Sequence, residues 1–176
     1  MIKNVFITGL PGCGKTTLIK EILKELKNPA KGFFTEEIRD KGKRIGFKIV
    51  TLSKKEGILA KIGFESPYKV SKYGVVLKDL EEIGVKEIEE GLKGDFLIVV
   101  DEIGKMELFS NKFKELILRA LDSKNKVIGT IILASNSFCD KIKKRKDTKI
   151  FYLKKENRGK VKKEILWHFQ ILQKKK

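Results

Sequence analysis

Apolar positions along the chain follow two periods, and the switches between them mark its elements. Asn4-Val5-Phe6-Ile7-Thr8, apolar at its centre and closed by Gly9, predicts a short buried strand. From Lys15 to Lys27 the apolar residues Leu18, Ile19, Ile22, Leu23 and Leu26 recur at helical spacing until Asn28-Pro29 stops them. Phe33 to Arg39 and Arg44 to Leu52 then alternate as strands around Asp40-Lys41-Gly42-Lys43, a hairpin inserted after the first helix. Residues 53–76 show neither period clearly. Lys78 to Leu92 reads as one helix, with Gly84 as its weak point.

Phe96-Leu97-Ile98-Val99-Val100 is the most continuous apolar run and predicts a strand buried on both faces. Phe109, Phe113, Leu116, Ile117, Ala120 and Leu121 mark an amphipathic helix after it. Val127 to Leu133 and Lys149 to Leu153 read as further strands, and Val161, Ile165, Phe169 and Leu172 as a closing helix. Strands and helices in this alternation predict a mostly parallel sheet with helices on both faces. The chain has 176 residues, 41% of them hydrophobic, which fits a single domain over residues 1–176 with a sizeable core.

Charge changes this picture little. The net charge is +17, and residues 141–176 hold 15 Lys/Arg against 3 Asp/Glu. Such a basic stretch can attract nucleic acid through its phosphates. Lysine dominates arginine and glutamine is rare, a bias of heat-adapted chains, so a solvated surface is the expectation and a nucleic-acid partner is not. No run approaches a membrane span or a signal peptide. Cys13 and Cys139 lack the spacing of a metal site or a disulfide framework, so the expected setting is the cytosol, with a monomer favoured.

Two motifs carry chemistry. Gly9-Leu10-Pro11-Gly12-Cys13-Gly14-Lys15-Thr16 fits G-x-x-x-x-G-K-[ST] in full, between a predicted strand and a predicted helix. Its glycines let bare backbone N–H groups face phosphate oxygens, and the helix N-terminus adds partial positive charge. Lys15 would reach the β and γ phosphates, and the Thr16 hydroxyl would ligate Mg²⁺. Asp101-Glu102 ends the apolar run of residues 96–100, at the edge of the sheet where α/β folds bind ligands. Asp101 is placed to hold the Mg²⁺, and Glu102 to polarise an attacking water.

The chain resembles the small nucleoside-triphosphatases first described from thermophiles, whose human relative is the cancer-related nucleoside-triphosphatase. The resemblance rests on Gly9 to Thr17, Gly32-Phe33-Phe34-Thr35-Glu36-Glu37-Ile38-Arg39, Arg44-Ile45-Gly46-Phe47, Asp101 to Leu108, Gly129-Thr130-Ile131 and Lys155-Glu156-Asn157-Arg158. Within residues 53–76 only Tyr73 matches, and the lysine-rich tail is particular to this chain. The resemblance implies slow Mg²⁺-dependent hydrolysis of several nucleoside triphosphates with little base preference. The fold expected is a three-layer P-loop α/β domain of the ATPase-like (ASCE/RecA-like) branch.

Further candidates surround these motifs. Arg44, ahead of Arg39, is expected to fold over the nucleotide from the hairpin turn and meet the γ-phosphate; the alternative is an ion pair with Glu36 or Glu37. Lys105 and Arg158 are the other cations within reach of the motifs. Thr130 either senses the γ-phosphate or bonds to backbone, Thr17 completes the phosphate loop, and Asn157-Arg158 follow the last strand where such folds hold the base. A kinase, or a nucleotide switch that binds RNA, remains the rival reading.

Overall fold

The computed structural model describes residues 2–173; the terminal lysines and the Leu172 side chain, which the sequence reading drew on, lie outside the described part. Five strands form a parallel core: β1 (Asn4–Thr8), β2 (Ala30–Asp40), β7 (Leu97–Ile103), β8 (Val127–Ile131) and β9 (Thr148–Tyr152). They lie in the order β2-β7-β8-β1-β9. β8 therefore stands between the strand that feeds the phosphate loop and the strand that ends in Asp101-Glu102. As the alternation predicted, the runs without polar interruption are the central strands, buried along their whole length in β1 and β8.

Helices cover both faces. On one, α1 (Lys15–Leu26) and α6 (Arg158–Gln173) pack Leu18, Ile19, Ile22, Val161 and Ile165 against Val5, Ile7 and Val99. On the other, α3 (Lys86–Leu92), α4 (Asn111–Asp122) and α5 (Ser137–Lys143) pack against Phe6, Phe33, Ile98 and Val100. The helix expected over Lys78 to Leu92 is present but not uniform. A short α2 (Leu77–Asp79) runs into a π-helical stretch, Leu80–Val85, before α3. The wider turns fall where Gly84 lies against the Phe33 ring, whose atoms come within 3.1 Å of a Cβ built there.

The inserted hairpin is larger than the sequence reading drew it. β2 is itself a member of the parallel core, with Phe33 opposite Val100. β3 (Lys43–Thr51) returns antiparallel to it, with Glu37 opposite Phe47 and Arg39 opposite Arg44. Residues 53–76 continue the sheet as β4 (Glu56–Ile62), β5 (Lys69–Val70) and β6 (Tyr73–Val75), giving nine strands in the order β5-β6-β4-β3-β2-β7-β8-β1-β9. All three strands are short; β4 and β5 are partly exposed and β6 is buried, and lysines and glycines break their apolar pattern, which is faint in the sequence. Their cluster, Ala60, Tyr73 and Val75 with Phe47, Val70 and Met106, is small.

Among the described residues no helix is long and apolar enough to cross a membrane. Cys13 and Cys139 are both free thiols. His168 sits on α6 with its Nε2 3.1 Å from the Ile2 carbonyl oxygen.

Candidate active site

The loop Gly9 to Gly14 leaves β1 at the carboxyl edge of the sheet and enters α1 at Lys15. Gly9, Gly12 and Gly14 all have positive φ, which favours glycine. A Cβ on Gly9 would stand 2.7 Å from the Leu153 carbonyl oxygen, and Gly14, the N-cap, has φ +90°. Leu10, Pro11, Gly12 and Thr17 are exposed, so their faces are open to a ligand. Cys13 is half-buried against the core and its N–H donates to the Leu10 carbonyl at 3.3 Å. Lys15 folds back over the loop, donating to the carbonyls of Gly9 and Leu10 at 3.0 Å each.

Opposite the loop lies the end of β7. Val100 pairs with Gly129 and Ile103 with Ile131, so three steps on β7 match two on β8, and the bulge falls on Asp101-Glu102. A bulge of this kind re-aims side chains. Here Val100 and Ile103, three apart, both enter the core on the α3/α4 face, while Asp101 meets the α1 face. Asp101 is buried, at 2% exposure. Its Oδ2 accepts a hydrogen bond from the Thr16 hydroxyl at 2.7 Å and its Oδ1 one from the Thr130 hydroxyl at 2.8 Å, while its backbone carbonyl accepts from Thr35 at 2.7 Å. Burial raises the carboxyl pKa; the hydroxyls of Thr16 and Thr130 and the charge of Lys15 pull it down.

Thr16 and Asp101 supply hard oxygen donors at the mouth of the phosphate loop. Among the described residues no group of three or more His, Cys, Asp or Glu could hold a metal ion unaided. The pair fits Mg²⁺, which binds through one or two protein oxygens and completes its shell with water and substrate phosphates. A hydroxyl that donates to Asp101 still keeps lone pairs for a cation.

Glu102 is half-buried beside this pair. Burial raises its pKa most, the neighbouring Asp101 charge raises it further, and Lys15 lowers it. A carboxylate with raised basicity, open on one side, suits a proton acceptor. Lys105, two residues past Ile103, is exposed, and among the described residues no ion pair engages it.

The other predicted cations are held by protein partners, two of them in the hairpin and one at the phosphate loop. Arg44 does not come over the phosphate loop: its Nη1 donates to Glu37 at 2.9 Å, its Nε to the Tyr73 hydroxyl at 3.2 Å, and its guanidinium lies 5.1 Å from the Phe47 ring centroid. Arg39 pairs with the same Glu37. The cause is strand register, which sets Arg44 opposite Arg39 and beside the carboxylate between them. Arg158 donates through Nη1 to the Gly14 carbonyl at 3.1 Å and through Nη2 to Glu21 at 2.8 Å. It clamps the end of the phosphate loop from α6. Asn157 accepts from the Lys154 N–H and donates to the Tyr152 carbonyl, both at 2.8 Å, closing its own turn.

Sequence reasoning missed Thr35, Glu21 and Glu107. Thr35 stands inside the quoted Gly32–Arg39 stretch, and Glu107 is an acid set between Met106 and Leu108, a signal available in the sequence. Glu21 gives none, since its partner is 137 residues away.

Comparison with known proteins gives the family of the chain. A family model described as NTPase matches residues 4–166. The chain is 54% identical over 163 residues to the nucleoside-triphosphatase THEP1 of Thermotoga maritima, covering 93% of both chains. It is 40% identical over 175 residues to the cancer-related nucleoside-triphosphatase of Homo sapiens, covering 90% of this chain and 92% of that one. The crystal structure of THEP1 from Aquifex aeolicus superposes with a TM-score of 0.82 at 37% identity, over 92% of this chain and 96% of the other. The solution structure of the human cancer-related enzyme gives the same TM-score and identity over 96% and 97%. With its phosphate loop and its Asp101-Glu102 edge in one parallel sheet, the chain belongs to the P-loop nucleoside-triphosphatase family of THEP1 and the cancer-related nucleoside-triphosphatases.

Proposed function

We propose that this protein hydrolyses nucleoside triphosphates to diphosphates and phosphate, with Mg²⁺ and with little preference among bases. The observation that carries the reading is the Thr16–Asp101 hydrogen bond of 2.7 Å, which joins the phosphate loop to the strand end that bears Glu102.

The loop amides and Lys15 bind the β and γ phosphates. Thr16 and Asp101 would hold the ion, which would draw charge from those phosphates. Glu102 orients a water in line with the γ-phosphorus and takes its proton. The water oxygen bonds to phosphorus, the bond from phosphorus to the β–γ bridging oxygen breaks, and the electron pair leaves with the diphosphate. Lys15 and the amides stabilise the charge that develops. The free cation that joins them from the turn after β7 is Lys105, ahead of Arg44, which would first have to leave Glu37 and Tyr73.

Weak base discrimination follows from the loop after β9. Asn157 closes its own turn and Arg158 clamps Gly14 and Glu21, so neither side chain is free to read a base edge. The two free thiols suit the cytosol.

The test is phosphate release from ATP, GTP, CTP and UTP, with Mg²⁺ and with Mg²⁺ chelated, each with and without hydroxyl acceptors. Hydrolysis predicts release with water alone that stops on chelation. Transfer that depends on an acceptor would make the protein a kinase. A spread in kcat/KM above about 100-fold, about 2.7 kcal/mol, would overturn the claim of weak base preference.

A further inference from the structure

The connection from β9 to α6 touches the phosphate loop at both ends. The Leu153 N–H donates to the Thr8 carbonyl at 2.8 Å, and the Leu153 carbonyl oxygen lies 2.7 Å from where a Cβ on Gly9 would stand. Asn157 closes the turn that follows, and Arg158 opens α6. The Arg158 guanidinium then spans two partners, with Nη1 on the Gly14 carbonyl at 3.1 Å and Nη2 on Glu21 of α1 at 2.8 Å. Gly14 leaves room for it: a Cβ there would stand 2.8 Å from the same Nη1. Four residues on, Lys162 pairs with Glu21 at 3.4 Å and with Glu25 at 2.6 Å. Two cations one helical turn apart on α6 therefore meet two carboxylates one turn apart on α1. The same two helices share the buried cluster of Leu18, Ile22, Val161 and Ile165.

The Gly14 carbonyl takes a second bond, from the Leu18 N–H at 3.0 Å. A carbonyl oxygen has two lone pairs, and here both are used. The described residues hold no cis peptide, and in a planar trans peptide the N–H points opposite the C=O. Holding the Gly14 carbonyl toward α1 and α6 therefore turns the Lys15 N–H the other way, out of the N-terminus of α1. That N–H is among the first of the helix, which have no intrahelical carbonyl to meet. It is the kind of group that takes up a phosphate at a helix N-terminus. Gly14 is left-handed, at φ +90°, and the peptide after it joins loop to helix. Arg158 is the donor on that peptide that comes from outside both.

We propose that Arg158 is a positioning residue for phosphate binding: anchored on Glu21, it holds the Gly14 carbonyl and so aims the Lys15 N–H at the phosphates. The proposal rests on the reading of residues 9–16 as the phosphate site. The Arg158–Glu21 pair is part-exposed, 30% for one side chain and 40% for the other, and such pairs add little to stability. Its effect lies in direction. Arginine suits the task because its planar fork serves two acceptors at once, whereas a lysine ammonium is a point charge on a flexible stem. An amide that meets the phosphates in substrate and transition state alike gives uniform binding, so the effect falls on affinity and not on kcat. It is also independent of the base, which the amide does not touch.

The experiment is calorimetric titration of the full chain with two Mg²⁺-bound probes, the β,γ-imido analogue of ATP and inorganic tripolyphosphate, together with kcat and KM for Mg-ATP. Tripolyphosphate carries the phosphates without base or ribose. The proteins are the parent, Arg158→Ala, Arg158→Lys, Glu21→Ala and the double variant of Arg158→Ala with Glu21→Ala. Arg158→Ala should weaken both probes by the same factor, about tenfold, the loss of a charge-assisted hydrogen bond. KM should rise with it and kcat stay within about threefold. Arg158→Lys should recover only part of the affinity. Glu21→Ala should weaken both probes by about threefold, and the double variant should bind no more weakly than Arg158→Ala, because Glu21 acts through Arg158. Parental affinity for both probes in Arg158→Ala, a fall in kcat with affinity held, or single losses that multiply in the double variant would each overturn the proposal. So would a loss confined to the ATP analogue, which would make Arg158 a base or ribose contact. If Arg158→Ala did not fold, Arg158→Lys and Glu21→Ala would decide it by the same equality of the two probes. A parent that binds neither probe would instead overturn the phosphate-site reading.

Discussion

The two halves of the sheet treat their charges in opposite ways. In the parallel half, β2-β7-β8-β1-β9, polar side chains at the carboxyl edge converge on one another across the chain: Thr16 and Thr130 on Asp101, Thr35 on the backbone behind it. In the antiparallel half the charges neutralise their strand neighbours. Arg44 and Arg39 share Glu37, and Lys48 pairs with Glu56 at 2.9 Å. A residue's closeness to the carboxyl edge therefore does not make it part of the site. What matters is whether its partners come from its own hairpin or from distant strands.

Lys15→Ala breaks the parallel side hardest. It removes the cation inside the phosphate loop, and turnover should fall by roughly 10³-fold or more, with triphosphate affinity lowered in the same titration. Near-parental turnover would sink the assignment of this edge as the site.

Glu102→Gln keeps the shape of the side chain and removes its ability to take a proton. Steady-state and nucleotide-binding measurements should give a loss of about 10²- to 10⁴-fold in kcat with binding retained. A loss below tenfold would mean that another base acts.

Lys105→Ala and Arg44→Ala, made side by side, sharpen the comparison directly. Lys105 is free, so its removal should lower kcat by tenfold or more while the melting temperature stays put. Arg44 is a part-exposed hairpin pair, worth about 1 kcal/mol. Its removal should lower the melting temperature by about 2–4 °C and leave kcat within a few-fold. The reverse pattern would make Arg44 the cation that meets the γ-phosphate.

One further effect is thermodynamic and needs no turnover. Glu107 has its pKa raised from 4.5 to about 8 by burial. The folded state therefore binds this proton more tightly than the unfolded chain. Its contribution to stability is complete below about pH 4.5 and declines as the pH rises to about 8. Glu107→Gln lacks the decline, so its melting temperature should gain on the parent between pH 5 and pH 8. Parallel melting curves across that range would show that Glu107 does not titrate this way.

Much of the parallel half was legible in the sequence. Its strands are buried on both faces and read as unbroken apolar runs, and the glycines, Lys15 and Thr16 of the phosphate loop stand at fixed spacing because one local turn needs them all. The Asp101-Glu102 pair was legible too, since it ends the longest of those runs. The antiparallel extension was not. β4, β5 and β6 are short, and β4 and β5 are partly exposed, so residues 53–76 carry no clean period.

The phosphate loop, the acidic strand end and the order of strands and helices could be read along the chain, because each depends on residues close together in it. Which charged groups are left without a partner depends on the fold. Strand register sets Arg44 beside Glu37 and Tyr73. α6 brings Arg158 to Gly14 of the phosphate loop, 144 residues away. Glu107, an acid in the sequence, is buried in the turn after β7. Charge depends on solvent and partners, both set by contacts distant in sequence, and so the chemistry of these side chains was fixed only when the chain folded.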